Sequence, residues 1–586
     1  MTLSRRGFLG AAFAGVVAHG SSQPARPVDV NALSLEEKVG QLFLLAFEGD
    51  SATQAETMLG KYLVGSVYLS QDNLRTVEQS VELLNGLQKL GAGTPHALPI
   101  FAACDQEGAW SVLNPQASAG PGNLALGATS PRHVEQMYTV FGRELRALGI
   151  AGDLAPVSDV NANPRNPIIG TRSFGQDPQR VAAAVAAAVR GLHAGGTRAC
   201  AKHFPGHGDT SQDSHRGLAT VTRTREQIIQ GDLVPFRAAV RAGVDLVMTA
   251  HLVYPAFDSE WPATLSPAIL QGVLRKQLGF RGVILTDSFS MGAIKRSYGT
   301  AAAAIRAINA GADLIMLAEE RYGDEPSNYL KEQVALLEAV RAAAKDGVIS
   351  RQRLDEAVGR VLALKTAAGL FASPYRRSEE ALRIVGCAEH RAVELECARK
   401  AVTLPRNRDR RVPLVVRPDS RVLLVSPVRS DAYASLTRMR GIGPNIHEPP
   451  TAVLHKEIVR RCPSAKLLNI SDPGEVAVHL ESLRTATIVI VATENYPLPG
   501  FDFPTENQKH VIEALATAGI DPIVVGLRDP YELLGLPAVR TYVAALGYAP
   551  VCARAAAEVL FGERRPEGRL PVEGSNSYGP PVDLFI

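Results

Sequence analysis

The side chains best suited to chemistry are concentrated in one short stretch, Ala199–Leu218, of the 586-residue chain. The stretch begins like the end of a buried strand, and Pro205, Gly206 and Gly208 then forbid a helix and allow tight turns. Its titratable side chains include Lys202, His203, His207, Asp209, Asp213 and His215. Because titratable groups gather at active sites, this composition predicts a functional loop rather than a piece of core.

Within this loop, Asp213 and His215 are separated by a single residue. In an extended segment the side chains at i and i+2 point the same way, so the carboxylate can hold one imidazole nitrogen and leave the other facing a substrate. A carboxylate partner also raises the pKa of a histidine, which suits a general acid/base. Two other interpretations stay open, a loop stapled by its own Asp–His hydrogen bonds and a metal site.

The elements that must position this loop alternate between short apolar runs and longer helical patterns, from Leu33 to about Ala372. Helical stretches such as Pro178–Ala194 and Gln227–Ala242 separate the apolar runs. Eight buried strands alternating with helices predict a (β/α)8 TIM-type barrel, with a doubly wound open sheet as the alternative. The strand candidates are Leu42–Phe47, Gly65–Leu69, Pro99–Cys104, Ile150–Pro156, Thr197–Lys202, Asp245–Ala250, Gly282–Thr286 and Asp313–Leu317.

Five of these strand candidates end in polar side chains. A barrel places its chemistry at the C-terminal ends of its strands, so this agreement supports the barrel and predicts a pocket lined by Asp, Lys, His and Arg. The polar groups, in strand order, are Asp105–Gly108, then Asp159, Asn161 and Arg172–Gly175, then Lys202 and His203, then Thr249 and His251, and finally Thr286 and Asp287.

Asp287 lies in the sequence GVILTDSFSMGAI, directly after the seventh strand candidate. A carboxylate at the end of a buried strand is costly unless it is paired or used. It could cap the following helix, although Ser288 and Ser290 could cap equally well. As a working group it would be a nucleophile or a stabiliser of positive charge. A nucleophilic carboxylate with a separate acid/base is the arrangement of retaining glycoside hydrolysis, in which a histidine acid would be a departure.

At these residues the sequence resembles glycoside hydrolase family 3, specifically its β-N-acetylglucosaminidase branch. The motif KHFPGHGDTSQDSH is the most specific part of the resemblance. The matching segments are KHFPGHGDTSQDSH (Lys202–His215), TDSFSM (Thr286–Met291), DQEG (Asp105–Gly108), GTRSFG (Gly170–Gly175) and MTAHLVYP (Met248–Pro255).

The resemblance implies that Asp287 is the nucleophile of a covalent glycosyl-enzyme, that His215 is the acid/base, and that Asp213 orients His215. It implies no metal and no organic cofactor. The implied substrate is terminal N-acetylglucosamine on peptidoglycan fragments or chitin-like oligosaccharides. The residues that the resemblance places around the sugar are Asp105, Arg172, Lys202, His203 and His251.

The chain departs from the family pattern after DQEG. Family members usually continue with Gly-Arg, whereas this chain reads DQEGAWSVLN, so Ala109 replaces a glycine and no arginine follows before Asn114. One sugar contact therefore lacks its usual residue, and Trp110 offers either an apolar platform or packing alone. The alternatives that remain are a phosphorylase or β-glucosidase on the same site, a carbohydrate-binding protein with weak catalysis, and a zinc hydrolase built on His203, His207 and His215.

The N-terminus, Met1–Ser22, reads as an export signal rather than as part of the fold. It places Arg5 and Arg6 before an apolar run that is too short to span a bilayer, and SRRGFLG looks like a twin-arginine signal for export from a bacterial cytoplasm. An uncleaved anchor is the alternative. No later stretch holds about 18 uninterrupted apolar residues, so no membrane-spanning segment is expected after signal removal.

The composition of the chain argues against some classes of function. The net charge is +3 with acidic and basic residues interspersed, which argues against a nucleic-acid surface. The six cysteines show neither CxxC nor zinc-ligand spacing. No feature of the sequence indicates an oligomeric state.

The boundaries predicted from these patterns are a barrel at 28–372, a linker at 373–411 and a smaller α/β layered (sandwich) domain at 412–586. A loosened pattern and the basic run Arg406–Arg411 indicate the linker. The second domain lacks a GxGxxG or P-loop motif, so nucleotide binding is not indicated, and Glu494 and Asn495 are assigned a structural role. Its predicted strands are Arg421–Val425, Lys466–Ile470, Thr487–Ala492, Pro522–Gly526 and Tyr542–Leu546.

Overall fold

The computed structural model describes residues 28–572 except 110, 112, 114, 211–217, 319–328, 429–447 and 495–504. Eleven strands are described in the first part of the chain. They are β1 (Phe43–Leu45), β2 (Ser66–Tyr68), β3 (Phe101–Cys104), β4 (Gly152–Asp153), β5 (Arg198–Phe204), β6 (Ala219–Thr220), β7 (Leu246–Thr249), β8 (Leu252–Tyr254), β9 (Asp258–Pro262), β10 (Val283–Thr286) and β11 (Ile315–Leu317).

Eight of these strands form one parallel sheet in the order β10-β7-β5-β4-β3-β2-β1-β11. A bridge between Leu285 and Leu314 joins β10 to the segment entering β11, which closes the sheet into a barrel. This architecture confirms the predicted (β/α)8 barrel and excludes the open doubly wound sheet. The remaining strands, β6, β8 and β9, form a small separate sheet.

Helices surround the barrel. The helix α5 shows how local sequence sets their limits, because Asp177 caps its start by accepting hydrogen bonds from the amides of Gln179 and Arg180, and Gly196 ends it at a φ of +89°. The α-helices of the first part are α1 (Leu35–Gly40), α2 (Val77–Ala92), α3 (Asn123–Gly127), α4 (Pro131–Leu148), α5 (Pro178–Gly195), α6 (Arg225–Gln227), α7 (Leu233–Arg241), α8 (Gly292–Tyr298), α9 (Thr300–Ala310), α10 (Tyr329–Lys345) and α11 (Arg351–Ala367).

Shorter helical segments complete this layer. The π-helical segments are Thr57–Lys61, Ile228–Asp232 and Ala268–Gln277, and the 3-10 segments are Val30–Ala32, Ala52–Ala55, Gly170–Arg172 and Ala263–Leu265. The main apolar core lies between the strands and this helical layer. A second apolar cluster fills the barrel itself and includes Phe101, Cys200 and Met248, together with Leu364 from α11. The interior is thus packed with side chains, which leaves the strand ends for chemistry.

The second part of the chain builds a six-stranded sheet in the order β12-β17-β16-β15-β13-β14, in which only the edge strand β12 is antiparallel to its neighbour. Its strands are β12 (Thr403–Asn407), β13 (Val422–Ser426), β14 (Lys466–Asn469), β15 (Ile488–Thr493), β16 (Ile523–Gly526) and β17 (Thr541–Ala544). The helices that follow α11 are α12 (Ser378–Ile384), α13 (Ala388–Ala401), α14 (Pro450–Arg461), α15 (Glu475–Val478), α16 (Leu480–Thr485), α17 (Thr505–Thr517) and α18 (Pro550–Leu560), with a 3-10 segment at Tyr531–Gly535. This confirms the α/β second domain and its five predicted strands.

The stretch interpreted as a linker, residues 373–411, is more ordered than its sequence suggested, since it contains α12, α13 and β12. Arg406, which opens the basic run, is buried and donates to the carbonyls of Leu533, Leu536 and Val539 at 3.2, 2.5 and 3.2 Å. Those three carbonyls satisfy the guanidinium inside the domain, so the run begins as an edge strand rather than as solvated chain.

The two domains are in direct contact. Glu394 on α13 accepts a hydrogen bond from the amide of Gly120 at 2.7 Å, and Ala109 packs into an apolar cluster of the second domain. The loop that follows β3 therefore lies between the domains. Within the described part of the chain, no helix is both long and apolar enough to cross a membrane.

Candidate active site

A buried cluster of four charged side chains lies at the C-terminal ends of the barrel strands. Lys202 on β5 donates to Asp105 and, at 2.5 Å, to Glu107, both of which follow β3. Arg172 binds both oxygens of Glu107, at 2.8 and 2.9 Å. The hydroxyl of Tyr68, the last residue of β2, donates to Asp105 at 2.8 Å. Residues from four different strand ends thus meet in one polar cluster.

The cluster contains two acidic and two basic groups, and burial raises the pKa of Asp105 above its ordinary value. Burial acts against charge here, but Arg172 and Lys202 lower the pKa of Glu107 to about 2. Although burial alone would lower it, the carboxylates of Asp105 and Glu107 raise the pKa of Lys202 above its ordinary value. Glu107, Lys202 and Arg172 are therefore charged at neutral pH. Charged groups held in fixed positions suit the recognition of a ligand rich in hydroxyl groups.

His203 is held by Asp159, which lies in the loop after β4. The imidazole Nδ1 is 2.7 Å from one oxygen of Asp159, and the backbone amide of His203 donates to the same carboxylate at 3.1 Å. Burial and the nearby Arg172 lower the pKa of His203 well below its ordinary value, against the attraction of Asp287. His203 is therefore neutral, with its proton on Nδ1 and its Nε2 able to accept a hydrogen bond from a hydroxyl.

Asp287 follows β10 directly and is half-buried, and its Oδ1 accepts the amide of Ser288 at 2.7 Å. Because β10 runs parallel to β7 and β5 in the barrel, Asp287 lies at the same end of the barrel as the charged cluster. It is not the cap of the next helix, because α8 begins at Gly292 with Met291 in the cap position. The structure therefore removes the capping interpretation of Asp287.

His251 is completely enclosed, and both of its ring nitrogens have partners in the protein. Nδ1 is 2.9 Å from the hydroxyl of Thr264, and Nε2 is 3.0 Å from the carbonyl of Ser288. A carbonyl only accepts hydrogen bonds, so Nε2 carries a proton. The bond fixes the residue next to Asp287, and His251 thus supports the turn that carries that carboxylate.

Asp213 and His215 lie outside the described residues, so their predicted pairing stays a prediction. The described residues before them are held by the segment after β4. Asp159 accepts the amide of His207 at 2.6 Å, and the side-chain amide of Asn166 donates to the carbonyl of His207 at 2.9 Å. Thr210 ends the described part of the loop, three residues before Asp213.

The structure thus brings together Asp105, Arg172, Lys202, His203 and Asp287, with His251 behind them. Tyr68 is a member that the sequence did not indicate, although it ends a barrel strand, which is the signal that could have identified it. Glu107 and Asp159 were predicted from their strand-end positions but without a role, because which acid pairs with which base depends on contacts between distant strands. Among the described residues, no group of three or more His, Cys, Asp or Glu side chains could hold a metal ion.

Glu107→Gln keeps the size of the side chain and removes the charge that Arg172 and Lys202 share. We expect the free energy of unfolding to fall by about 3–5 kcal/mol, because two buried cations lose a partner. We also expect KM for a bound glycoside to rise by roughly tenfold, since the cluster no longer holds its geometry. Urea unfolding and steady-state kinetics measure the two effects.

The matched control is Glu135→Gln, because Glu135 also binds an arginine, Arg190, at 2.7 Å, but on the exposed surface. An exposed pair contributes less than about 1 kcal/mol, so this variant should retain wild-type stability and KM. Equal effects of the two substitutions would contradict the role given to Glu107.

Comparison with known proteins places this geometry in a family. Residues 34–364 match the model of the glycosyl hydrolase family 3 N-terminal domain, which covers the whole barrel. A solved structure of a glycoside hydrolase family 3 β-N-acetylglucosaminidase from Paenibacillus sp. str. FPU-7 is similar over 92% of this chain and 99% of its own, with 34% identity and a TM-score of 0.80.

Two relatives differ in how much of the chain they match. Beta-hexosaminidase A of Pseudoalteromonas piscicida is 29% identical over 88% of this chain and 90% of its own length. A beta-hexosaminidase of Stenotrophomonas maltophilia (strain R551-3) is 36% identical, but over 48% of this chain and 85% of its own length. The similarity therefore extends to both domains in one relative and to about half of the chain in the other.

Proposed function

The chain belongs to glycosyl hydrolase family 3, and from this we propose that it is an exported, retaining exo-β-N-acetylglucosaminidase acting on peptidoglycan fragments or chitin-like oligosaccharides. The enzyme is a glycoside hydrolase of the β-N-acetylhexosaminidase type. The observation that carries the proposal is the position of Asp287 directly after β10, at the same end of the barrel as His203 and the charged cluster. The names of the relatives support N-acetylglucosamine as the sugar.

The proposed reaction has two steps. In the first, an oxygen of Asp287 attacks the anomeric carbon, the bond from that carbon to the leaving oxygen breaks, and His215 gives that oxygen its proton. In the second, His215 takes a proton from water, the water oxygen attacks the anomeric carbon, and Asp287 is released. Asp213 keeps the His215 imidazole oriented through both steps.

The charged cluster serves binding in this scheme. Asp105 accepts hydrogen bonds from sugar hydroxyls, and Lys202 and Arg172 donate to hydroxyl oxygens. Glu107 is completely enclosed and holds these two basic groups in place. His203, which is neutral, accepts one more hydroxyl at Nε2. The hydrogen bonds within the cluster hold these side chains in place before the sugar binds. Little side-chain conformational entropy is therefore lost on binding.

A panel of aryl glycosides tests the proposed specificity. With 4-nitrophenyl glycosides of N-acetylglucosamine, glucose and xylose, we expect the first to have the highest kcat/KM, by about tenfold or more if one sugar-specific hydrogen bond is lost in the others. A preference for glucose or xylose would contradict the proposed sugar. Formation of sugar 1-phosphate on addition of phosphate would make the enzyme a phosphorylase instead.

Export is part of the same proposal, and its support is the sequence SRRGFLG with the apolar run after it. In a bacterium with a twin-arginine system, the full chain should be found outside the cytoplasm. Replacing Arg5 and Arg6 together by lysine should leave it inside, as judged by cell fractionation. Export of the doubly substituted chain at the wild-type level would contradict this route.

A further inference from the structure

The second domain contacts the barrel next to the catalytic face. The relative from Stenotrophomonas maltophilia matches only about half of this chain, so the comparison leaves open what the remainder adds to the site. One hydrogen bond between side chains of the two domains reaches the segment that supports the catalytic loop. It joins the side-chain amide of Asn161, in the loop after β4, to the hydroxyl of Tyr531, at 2.5 Å.

Asn161, the barrel residue of this hydrogen bond, is buried. Asn161 has no exposed surface, its amide nitrogen contacts Tyr531, and its Oδ1 is buried without a hydrogen-bond partner among the described residues. Its backbone amide donates to the carbonyl of Gly175 at 3.0 Å. On the other side, the backbone amide of Tyr531 donates to Asp529, in the segment after β16, at 3.1 Å. Tyr531 is thus held in position by its own domain.

The residues around Asn161 form a cradle for the loop after β5, and we define the cradle as residues 159–166. Asp159 accepts the amide of His207 at 2.6 Å. The amide of Asn163 donates to the carbonyl of Gly208 at 3.2 Å. A side chain at Gly208 would place its Cβ 1.7 Å from the carbonyl oxygen of Val160, so only glycine allows this approach.

The cradle therefore contacts residues 207–210 closely, and the chain continues from there in sequence to the two residues given the acid/base role. Asp213 and His215 follow Thr210 by three and five positions. A small displacement of the cradle would be passed to Gly208 and Thr210 through these backbone contacts. An acid needs its proton within hydrogen-bond reach of the leaving oxygen, so such a displacement reduces acid catalysis before it reduces sugar binding.

We propose that Tyr531 is a positioning residue that acts from the second domain, holding the cradle through Asn161 and so placing the acid/base loop. The proposal rests on the proposed function of Asp213 and His215. It gives the second domain a role in leaving-group protonation. It also predicts a specific kinetic signature, because protonation matters for a poor leaving group and hardly at all for a good one.

Tyr531→Phe in the full chain tests it, since only the hydroxyl is lost. We expect kcat/KM on N,N′-diacetylchitobiose to fall by about tenfold or more, whereas kcat/KM on the 2,4-dinitrophenyl glycoside, which reports the glycosylation step alone, changes by less than about twofold. The affinity for the product N-acetylglucosamine should stay within about twofold, because the charged cluster that binds the sugar is untouched. A uniform loss on both substrates, or none on either, would overturn the proposal.

Two further variants complete the experiment. Tyr542→Phe is the control, because its hydroxyl is also buried but binds Glu532 within the second domain, at 2.7 Å, and it should not change the ratio of the two rates. Asn161→Ala should show the same ratio as Tyr531→Phe, and the double variant should add nothing to it. Additive effects would overturn the proposed route. An inactive wild-type enzyme on N-acetylglucosaminides would instead refute the proposed function, so the two failures are distinguishable.

Discussion

Asp287→Asn is expected to reduce kcat/KM on 4-nitrophenyl N-acetyl-β-glucosaminide by on the order of 10⁴-fold or more, as found for nucleophiles of covalent catalysis. The amide has the same shape as the carboxylate but cannot form the glycosyl-enzyme ester. Stability should change little, because the half-buried side chain accepts one backbone amide at Oδ1, and an asparagine oxygen accepts it equally well. A slow fluorinated substrate should label the wild-type enzyme at Asp287, detected by peptide mass spectrometry.

Asp177→Asn is the control for this substitution. Asp177 caps α5, and asparagine caps helices about as well as aspartate, so activity and stability should both remain at the wild-type level. If Asp287→Asn behaves in the same way, or if the label is found on another residue, Asp287 is not the nucleophile.

His215→Ala is expected to have the second largest effect, and one that depends on the substrate. On N,N′-diacetylchitobiose we expect kcat/KM to fall by about 10²–10⁴-fold, the usual contribution of a general acid/base. On the 2,4-dinitrophenyl glycoside the loss of glycosylation rate should be under about tenfold, because that leaving group departs without a proton. The wild-type rate should decline as the pH rises above the pKa of the acid, and the variant should lack that decline.

His193→Ala supplies the matched control. His193 also pairs with an aspartate, Asp245, at 2.6 Å, but it lies in the last turn of α5 on the outside of the barrel. Its loss should leave both substrates and the pH profile unchanged. Equal losses on the two substrates for His215→Ala would remove His215 from the acid role.

The barrel could be predicted because most of its strands are short, continuous apolar runs and several end in polar residues. Phe101–Cys104 and Val283–Thr286 are examples in which burial on both faces is visible from composition alone. The edge strand β12 could not be predicted, because it ends in the basic run and its stability depends on carbonyls between Leu533 and Val539. No local pattern reports a partner so far away along the chain.

The residues of the candidate site also divide into those predictable from local sequence and those that depend on contacts between distant parts of the chain. Residue types at the strand ends identified Asp105, Lys202 and Asp287, because each strand end is a local feature. The sequence did not indicate that Lys202 and Arg172 share Glu107, since that depends on how β3, β4 and β5 are placed next to one another. The role proposed for Tyr531 could not be predicted from the sequence, because it depends on how the two domains pack against each other.

The position of Ala109 has a consequence for protein engineering. The turn that begins with Asp105 continues into Ala109, which packs in the core of the second domain, and the nearby Pro121 accepts a hydrogen bond from Cys552 of α18 at 3.4 Å. Chimeras that exchange second domains between relatives would therefore have to transplant residues 106–122 together with the incoming domain. A swap at the boundary between the domains alone would separate Ala109 and Pro121 from the side chains they pack against.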